Sequence, residues 1–266
     1  MNIMNEALLQ RPSGLSDSGL YFQFNAAALG QLPQACSKLA SGVYIPILYE
    51  DNHLLVVLKP VGLPVQEDRR GKPDLLNLLK DDLARRGHKS GEAWLGLVHR
   101  LDQPVSGIMV FAKTSKAASR LSQAFRQREV EKIYHAVVRG HVKEERGEWL
   151  DRISNKKVQG RYQLSPEGKA SSLEFERVKL CSTPPMTLLR ITLGSGRSHQ
   201  IRVQTSSRGF PLAGDRRYGL MDDFDRKLPA PSLIATELNF LHPVQKRLLH
   251  FQLSLPNESP WNFFLS

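Results

Sequence analysis

The residues best suited to chemistry lie in one run, His99–Gly107, which reads HRLDQPVSG. The run places a carboxylate, Asp102, close to a guanidinium, Arg100, and it contains a proline and a glycine that signal a turn. Apolar segments flank it at residues 95–98 and 108–112, and the second is typical of a buried strand. A structural Arg–Asp ion pair would account for such a run. We assign chemistry to Asp102 instead because of the motifs described below.

The elements that must position this run are strands and two helices. Residues 47–49 and 53–58 predict a hairpin, and leucines at helical spacing predict a helix that Asp74 begins and Gly87 ends. Residues 115–128 predict a second, basic helix capped by Thr114 or Ser115. Further short strand-like segments lie at residues 132–139, 173–180, 188–193, 233–238 and 248–253. Because strands outnumber helices and βαβ alternation is absent, we predict an α+β fold with a largely antiparallel mixed sheet flanked by helices.

The charge of the chain indicates a polyanionic partner. Its 266 residues include 37 Lys and Arg against 26 Asp and Glu, a formal net charge of +11. Such a field attracts nucleic acid, although charge alone does not exclude a generally basic protein. Two cysteines, Cys36 and Cys181, cannot form a disulfide framework and lack partners at metal-ligand spacing. With no export signal and no apolar run that could span a membrane, we expect a cytoplasmic protein without membrane contact.

Four motifs occur in the order typical of one enzyme family. They are Leu54–Gly62 (LLVVLKPVG), His99–Gly107, Lys132–Gly140 (KIYHAVVRG), and the pair Gly196–Arg202 (GRSHQIR) and Pro211–Gly219 (PLAGDRRYG). Together they resemble the RluA-type family of RNA pseudouridine synthases. Two positions depart from the family pattern: Val105 stands where threonine is more usual, and Ile234 stands where histidine is common.

The resemblance covers the chain from about residue 44 onward. We therefore expect a catalytic domain at residues 43–266 with the pseudouridine synthase catalytic fold, and an N-terminal extension at residues 1–42. The segment ahead of Ile47 is too short for the complete S4-type RNA-binding domain of many family members. RNA contacts are thus expected largely from the catalytic domain.

The resemblance implies an isomerase that converts uridine to pseudouridine in structured RNA, either tRNA or ribosomal RNA, after the uridine is flipped out of its helix. It implies three catalytic residues. Asp102 acts on the ribose, either by attacking C1′ or by taking the 2′ proton. Arg202 is the cation that keeps this carboxylate ionised. Tyr134 stacks on the uracil and moves the C5 proton, although it could instead be a buried sheet residue.

The resemblance also indicates a set of substrate-binding residues: Arg100, His99, Lys59, Ile201, Arg197 and His199. Arg100 is suited to fill the stack that the flipped base vacates. Lys59 could steady the active-site loop or bind a phosphate, and Ile201 could wall the base or belong to the core. The two histidines orient their loops more plausibly than they transfer protons. Three basic pairs could follow phosphates: Arg69–Arg70, Lys156–Lys157 and Arg216–Arg217.

The predicted chemistry requires no cofactor and no metal, because the freed base is itself the incoming group. We expect RNA as the partner and a monomer as the oligomeric state. Two alternatives stay open at this point. One is an RNA-binding factor that keeps the scaffold without turnover, and the other is a nucleoside hydrolase that releases uracil.

Overall fold

The computed structural model of the chain describes residues 19–24, 36–38, 44–67, 71, 73–87 and 93–265. The strands are β1 Gly19–Phe24, β2 Cys36–Lys38, β3 Tyr44–Glu50, β4 Leu54–Lys59, β5 Gly96–Leu97, β6 Ser106–Ala112, β7 Glu131–Arg139, β8 Arg146–Ile153, β9 Lys169–Cys181, β10 Met186–Leu193, β11 Leu233–Leu241 and β12 Leu248–Leu253. The helices are α1 Leu75–Arg86, α2 Ser115–Gln127, α3 Gln200–Ser207, α4 Asp223–Lys227 and a 3-10 helix at Trp261–Phe264. This inventory confirms the predicted α+β class.

Both predicted helices are present, with the expected caps. The carboxylate of Asp74 accepts the backbone N–H of Asn77 at 3.1 Å, which satisfies one free donor of the first turn of α1. The hydroxyl of Thr114 likewise accepts the N–H of Ala117 at 3.3 Å at the start of α2. No helix in the described part of the chain is long and apolar enough to cross a membrane.

The chain divides into two compact units, and the first comprises Met1–Glu131 with Thr236–Ser254. Its strands β2, β3, β4 and β6 pair in that order, antiparallel at each step. Strand β12 pairs antiparallel with β11 and parallel with β1, which makes the pairing mixed, as predicted. The core of this unit contains the fully buried β4 residues 54–57 and β6 residues 109–112. These continuous apolar runs explain why β4 and β6 were recognisable in the sequence.

The second unit comprises Lys132–Ala235 with Leu255–Ser266. Strands β7, β10, β9 and β8 pair in that order, all antiparallel. Residues 211–213 run beside β7, with the N–H of Arg139 donating to Pro211 O and the N–H of Ala213 donating to Val137 O. Helix α3 packs against β8. This arrangement brings two separate motifs of the sequence, at 196–202 and 211–219, into the same unit.

Strands β1, β2, β5 and β8, helices α3 and α4, the 3-10 helix and one hairpin were not predicted from the sequence. Strand β8 has only two buried residues, Trp149 and Ile153, so its apolar signal is weak. After it the chain forms a hairpin over residues 154–165, in which Val158 and Arg161 exchange backbone hydrogen bonds of 2.8 and 3.0 Å. Gln159 and Gly160 form its turn with φ of 49° and 77°. Two residues with positive φ are typical of the tight turn that matches the twist of a hairpin.

The domain boundary at residue 43 stays a prediction. Strands β1 and β2 lie within the segment assigned to the N-terminal extension, and both pair with strands that lie beyond it. The pair Arg69–Arg70 lies outside the described residues.

Candidate functional site

The turn that carries Asp102 lies in the first unit, between β5 and β6. The backbone N–H of Val105 donates to Asp102 O at 3.0 Å and closes the turn. The loop after β4 supports it from one side: the N–H of Gly62 donates to Gln103 O at 3.0 Å, and Gln103 Nε2 donates to Gly62 O at 2.9 Å. Gly62 has a φ of 83°, which favours glycine at this position. The first two motifs of the sequence are therefore parts of one structure.

Lys59 holds this turn from within the core. Its side chain is fully buried, and its ammonium donates to Pro60 O at 2.9 Å, Gln103 O at 3.0 Å and Val105 O at 2.7 Å. Three carbonyls match the three N–H donors of an ammonium. Burial lowers the pKa of Lys59 to about 7, and the attraction of Asp102 opposes that shift. Because all its donors are used, Lys59 fits the loop-supporting alternative better than phosphate binding.

His99 and Arg100 precede Asp102 and differ in exposure. Nε2 of His99 accepts the backbone N–H of Val110 at 3.0 Å, so this nitrogen carries no proton. The His99 ring also stacks on Phe125 of α2 at 4.6 Å between ring centroids. These contacts fit the expectation that His99 orients its loop. Arg100 is exposed, as a residue that meets a large substrate must be. Asp102 itself is half-buried.

Tyr134 lies in the second unit, on β7, and is 8% exposed. It pairs in register with Ile191 of β10, which pairs with Phe175 of β9. Trp149 of β8 packs on Phe175 with 4.7 Å between ring centroids. Since paired residues of neighbouring strands point to the same face of a sheet, Tyr134 belongs to an apolar row across that face.

Helix α3 is polar in sequence, yet residues 200–205 are all buried. The amide of Gln200 explains how its start is fixed: Oε1 accepts from the Ser195 hydroxyl at 2.8 Å and from Arg197 N–H at 3.1 Å, while Nε2 donates to Ser172 O at 2.9 Å. His199 precedes the helix with a φ of 56°, in the left-handed region. Hydrogen bonds thus hold the buried polar side chains of α3, which explains why the helix lacks a strong apolar stripe.

Arg202 is the buried cation of this helix. Its Nε and Nη2 each donate to Asp215 at 2.7 Å, and Asp215 is fully buried. Oδ1 of Asp215 also accepts the N–H groups of Arg217 at 2.9 Å and Tyr218 at 3.2 Å. The Arg202 guanidinium lies 5.1 Å from the centroid of the Tyr218 ring. A bidentate pair with a rigid carboxylate fixes both the charge and the plane of the guanidinium.

Of the remaining predicted residues, Ile201 lies on α3, and Arg197 and His199 directly precede the helix. Ile201 is 3% exposed. Arg197 is exposed, with its Nε donating to Ala170 O at 3.0 Å. His199 Nδ1 lies 2.9 Å from the Tyr218 hydroxyl. Ile234, where the family commonly has histidine, is buried.

Sequence reasoning did not assign a role to Asp215 or Tyr218. Both occur in the motif Pro211–Gly219, which was quoted only for the resemblance. The available signal was an aspartate followed three residues later by a tyrosine. The role of both residues depends on their contact with Arg202, which lies thirteen residues before Asp215 in the chain. Spacing in the sequence does not reveal that pairing.

Comparisons with known proteins agree with this fold and these motifs. A family model described as RNA pseudouridylate synthase matches residues 53–207. An uncharacterised RNA pseudouridine synthase of Aquifex aeolicus is 33% identical over 232 residues, which cover 84% of this chain and 73% of the relative. The ribosomal large subunit pseudouridine synthase D of Nitrosomonas europaea is 33% identical over 237 residues, covering 86% of this chain and 67% of the relative.

The fold is also found in a solved structure. The human RNA pseudouridylate synthase domain containing 1 superposes with a TM-score of 0.65 at 23% identity, covering 81% of this chain and 85% of that one. The chain therefore belongs to the RNA pseudouridylate synthase family, which confirms the resemblance inferred from its motifs. It is accordingly an RNA pseudouridine synthase, an isomerase that converts uridine to pseudouridine.

Proposed function

We propose that this enzyme modifies uridines in structured ribosomal RNA and that Asp102 acts on the ribose of a flipped-out uridine. The observation that carries the proposal is the Asp102 turn, whose carbonyls are tied to the fully buried ammonium of Lys59. A half-buried carboxylate on a turn braced in this way is preorganised for attack. The choice of ribosomal RNA follows the name of the Nitrosomonas relative.

In the proposed reaction the N1–C1′ bond of uridine breaks, the uracil turns, and C5 bonds to C1′. The C5 proton is then lost and N1 gains a proton, so no atom is added to or removed from the RNA. Asp102 either forms a bond to C1′ or takes the 2′ proton. Both routes develop positive charge at the sugar, which the carboxylate stabilises. One carboxylate is sufficient because no water has to be activated.

Tyr134 and Arg202 complete the proposed catalytic set. Tyr134 stacks on the uracil, and its hydroxyl moves the C5 proton in the last step. Arg202 is the cation of the proposed set, and its pairing with buried Asp215 keeps the guanidinium in place. Ile201 forms an apolar wall for the base. His99 and His199 hold the two loops in which they lie.

RNA binding is proposed to come from exposed cations. Arg100 fills the space left by the flipped base. Arg197, which lies just before α3, contacts the phosphate backbone of the RNA. The hairpin at residues 154–165 adds three exposed side chains, Lys156, Lys157 and Arg161, which we call the hairpin cations. No acidic residue lies within that hairpin, so its charge is complementary to phosphate. Arg216 and Arg217 are exposed in the second unit as well.

The experiment compares Asp102→Asn with the wild-type enzyme on large-subunit ribosomal RNA transcribed in vitro, which contains no pseudouridine. Pseudouridine-specific chemistry should detect product with wild type and none with Asp102→Asn. Asp81→Asn is the matched control, because Asp81 is an exposed carboxylate on α1, and it should retain wild-type activity. Tight RNA binding without product in all three proteins would instead indicate an RNA-binding factor. Release of free uracil would indicate a nucleoside hydrolase.

We further propose that the protein is a cytoplasmic monomer with its catalytic domain at residues 43–266. All residues proposed for catalysis belong to this one chain, so the proposed site needs no second copy. Light scattering coupled to gel filtration tests the oligomeric state directly. A mass near 30.0 kDa supports the monomer, and a mass near twice that value contradicts it.

A further inference from the structure

Tyr218 contacts α3 at three positions along one face of the helix. Its hydroxyl lies 2.9 Å from His199 Nδ1, its ring lies under the Arg202 guanidinium at 5.1 Å, and its carbonyl accepts the Ser206 hydroxyl at 3.0 Å. Residues three and four apart share one face of a helix, so these positions form a continuous stripe. A single residue thus contacts α3 before, at and after Arg202.

Tyr218 is itself held in place. Its backbone N–H donates to Oδ1 of Asp215, the carboxylate that also binds Arg202. Its hydroxyl accepts the backbone N–H of Tyr162 at 2.9 Å, and Tyr162 belongs to the hairpin that bears the hairpin cations. Burial raises the pKa of Tyr218 above its ordinary value, so the hydroxyl keeps its proton.

The contact with Tyr162 connects the hairpin to α3. The Tyr162 ring meets the His199 ring edge-on with 5.1 Å between centroids, and Lys157 lies 5.6 Å from the centroid of the Tyr162 ring. A chain of contacts therefore runs from an exposed cation through Tyr162 and Tyr218 to Arg202. All of its members lie within the second unit.

We propose that Tyr218 is a positioning residue for the isomerisation: it fixes α3 and the plane of the Arg202 guanidinium, and through Tyr162 it links that guanidinium to the RNA-binding hairpin. Gln200 fixes the first turn of α3, and His199, which precedes it in a left-handed conformation, contacts the Tyr218 hydroxyl. Tyr218 therefore adds a side-chain contact at the start of the helix to those that Gln200 makes. This inference rests on the proposed function only for its catalytic consequence.

The test is Tyr218→Phe, which keeps the ring under Arg202 and removes the hydroxyl that contacts His199 and Tyr162. The matched control is Tyr49→Phe in the first unit, where the lost hydroxyl donates to Asp51 Oδ2 at 2.7 Å outside the proposed site. We measure three quantities on each protein: the single-turnover rate of pseudouridine formation on the ribosomal transcript, the Kd for that transcript, and amide hydrogen exchange in α3.

We expect Tyr218→Phe to lower the single-turnover rate about tenfold, to leave the Kd within about twofold, and to speed exchange in α3 about tenfold. Tyr49→Phe should leave all three values unchanged. Arg202→Lys keeps the positive charge but loses the bidentate hydrogen bonds to Asp215. In that background Tyr218→Phe should slow the residual reaction by less than about twofold, because Tyr218 acts through Arg202.

Unchanged exchange in α3 with Tyr218→Phe would overturn the inference, and so would a rise in Kd at an unchanged rate. Failure of the proposed function looks different. If the wild-type protein makes no pseudouridine while Tyr218→Phe still loosens α3, the assigned activity fails and the positioning role of Tyr218 stands.

Discussion

Replacing Lys59 by methionine tests whether the Asp102 turn depends on a buried ammonium. Methionine keeps a long, flexible apolar stem but cannot donate a hydrogen bond. Gln103 O keeps a partner, since it also accepts the N–H of Gly62 at 3.0 Å. Val105 O, which is buried, and Pro60 O, which is partly buried, lose the Lys59 donor.

The magnitude follows from these two carbonyls. A buried acceptor left without a partner costs about 1–3 kcal/mol, and the partly buried one costs less because water reaches it. Removing the ammonium also removes the cost of burying a charge, which offsets part of the loss. We therefore expect Lys59→Met to lower the free energy of unfolding by about 1–3 kcal/mol.

The effect on catalysis should be larger than the effect on stability. Asp102 lies in the turn that Lys59 holds, and a shift of about 1 Å in a catalytic group costs on the order of 100-fold in rate. Urea denaturation gives the first quantity, and single-turnover pseudouridine formation gives the second. Lys59→Met should remain folded and lose about 100-fold in rate.

Lys113→Met is the matched control. Lys113 donates to Glu50 Oε1 at 2.6 Å and to Asp51 O at 2.7 Å, in the same unit and away from the Asp102 turn. It should lose stability and keep the wild-type rate. The reasoning is refuted if Lys59→Met turns over as fast as wild type, or if Lys113→Met is slowed as severely as Lys59→Met.

Two further predictions concern salt and pH. Changing the three hairpin cations to glutamine should make the slope of log K for RNA against log salt shallower by about 2–3, because each phosphate contact contributes about 0.7–0.9. A control with the same loss of charge carries Lys116→Gln, Lys143→Gln and Arg146→Gln, and an equal change of slope in both proteins would contradict the prediction. Burial, with repulsion from Arg190, lowers the pKa of His135 from 6.5 to about 4. Between pH 6.5 and 4, His135 is protonated in the unfolded chain but neutral in the folded one. The free energy of unfolding is therefore unaffected by His135 above pH 6.5 and falls by about 3 kcal/mol as the pH drops to 4. His135→Gln should flatten the curve of unfolding free energy against pH in that window, and an unaltered curve would exclude His135 as its source.

Much of the first unit could be predicted because its signals are local. Asp74 and Thr114 satisfy donors three residues away, so the starts of α1 and α2 were readable from the sequence. Strands β4 and β6 are continuous apolar runs, since they pair with each other at the centre of a buried layer. The missed hairpin at residues 154–165 has few buried residues, and its turn depends on left-handed Gln159, which the sequence signals less strongly than glycine.

The sequence by itself determined which residues are available for chemistry. The run around Asp102 and the motifs that follow it identified the family and its reaction. Only the tertiary structure decided how those residues are held. Two of the three carbonyls that Lys59 binds belong to residues more than forty positions away, and the partner of Arg202 is a carboxylate outside its own helix. Main-chain carbonyls are present in every residue and leave no mark in the sequence, so a buried lysine that binds them looks the same as a lysine that binds phosphate.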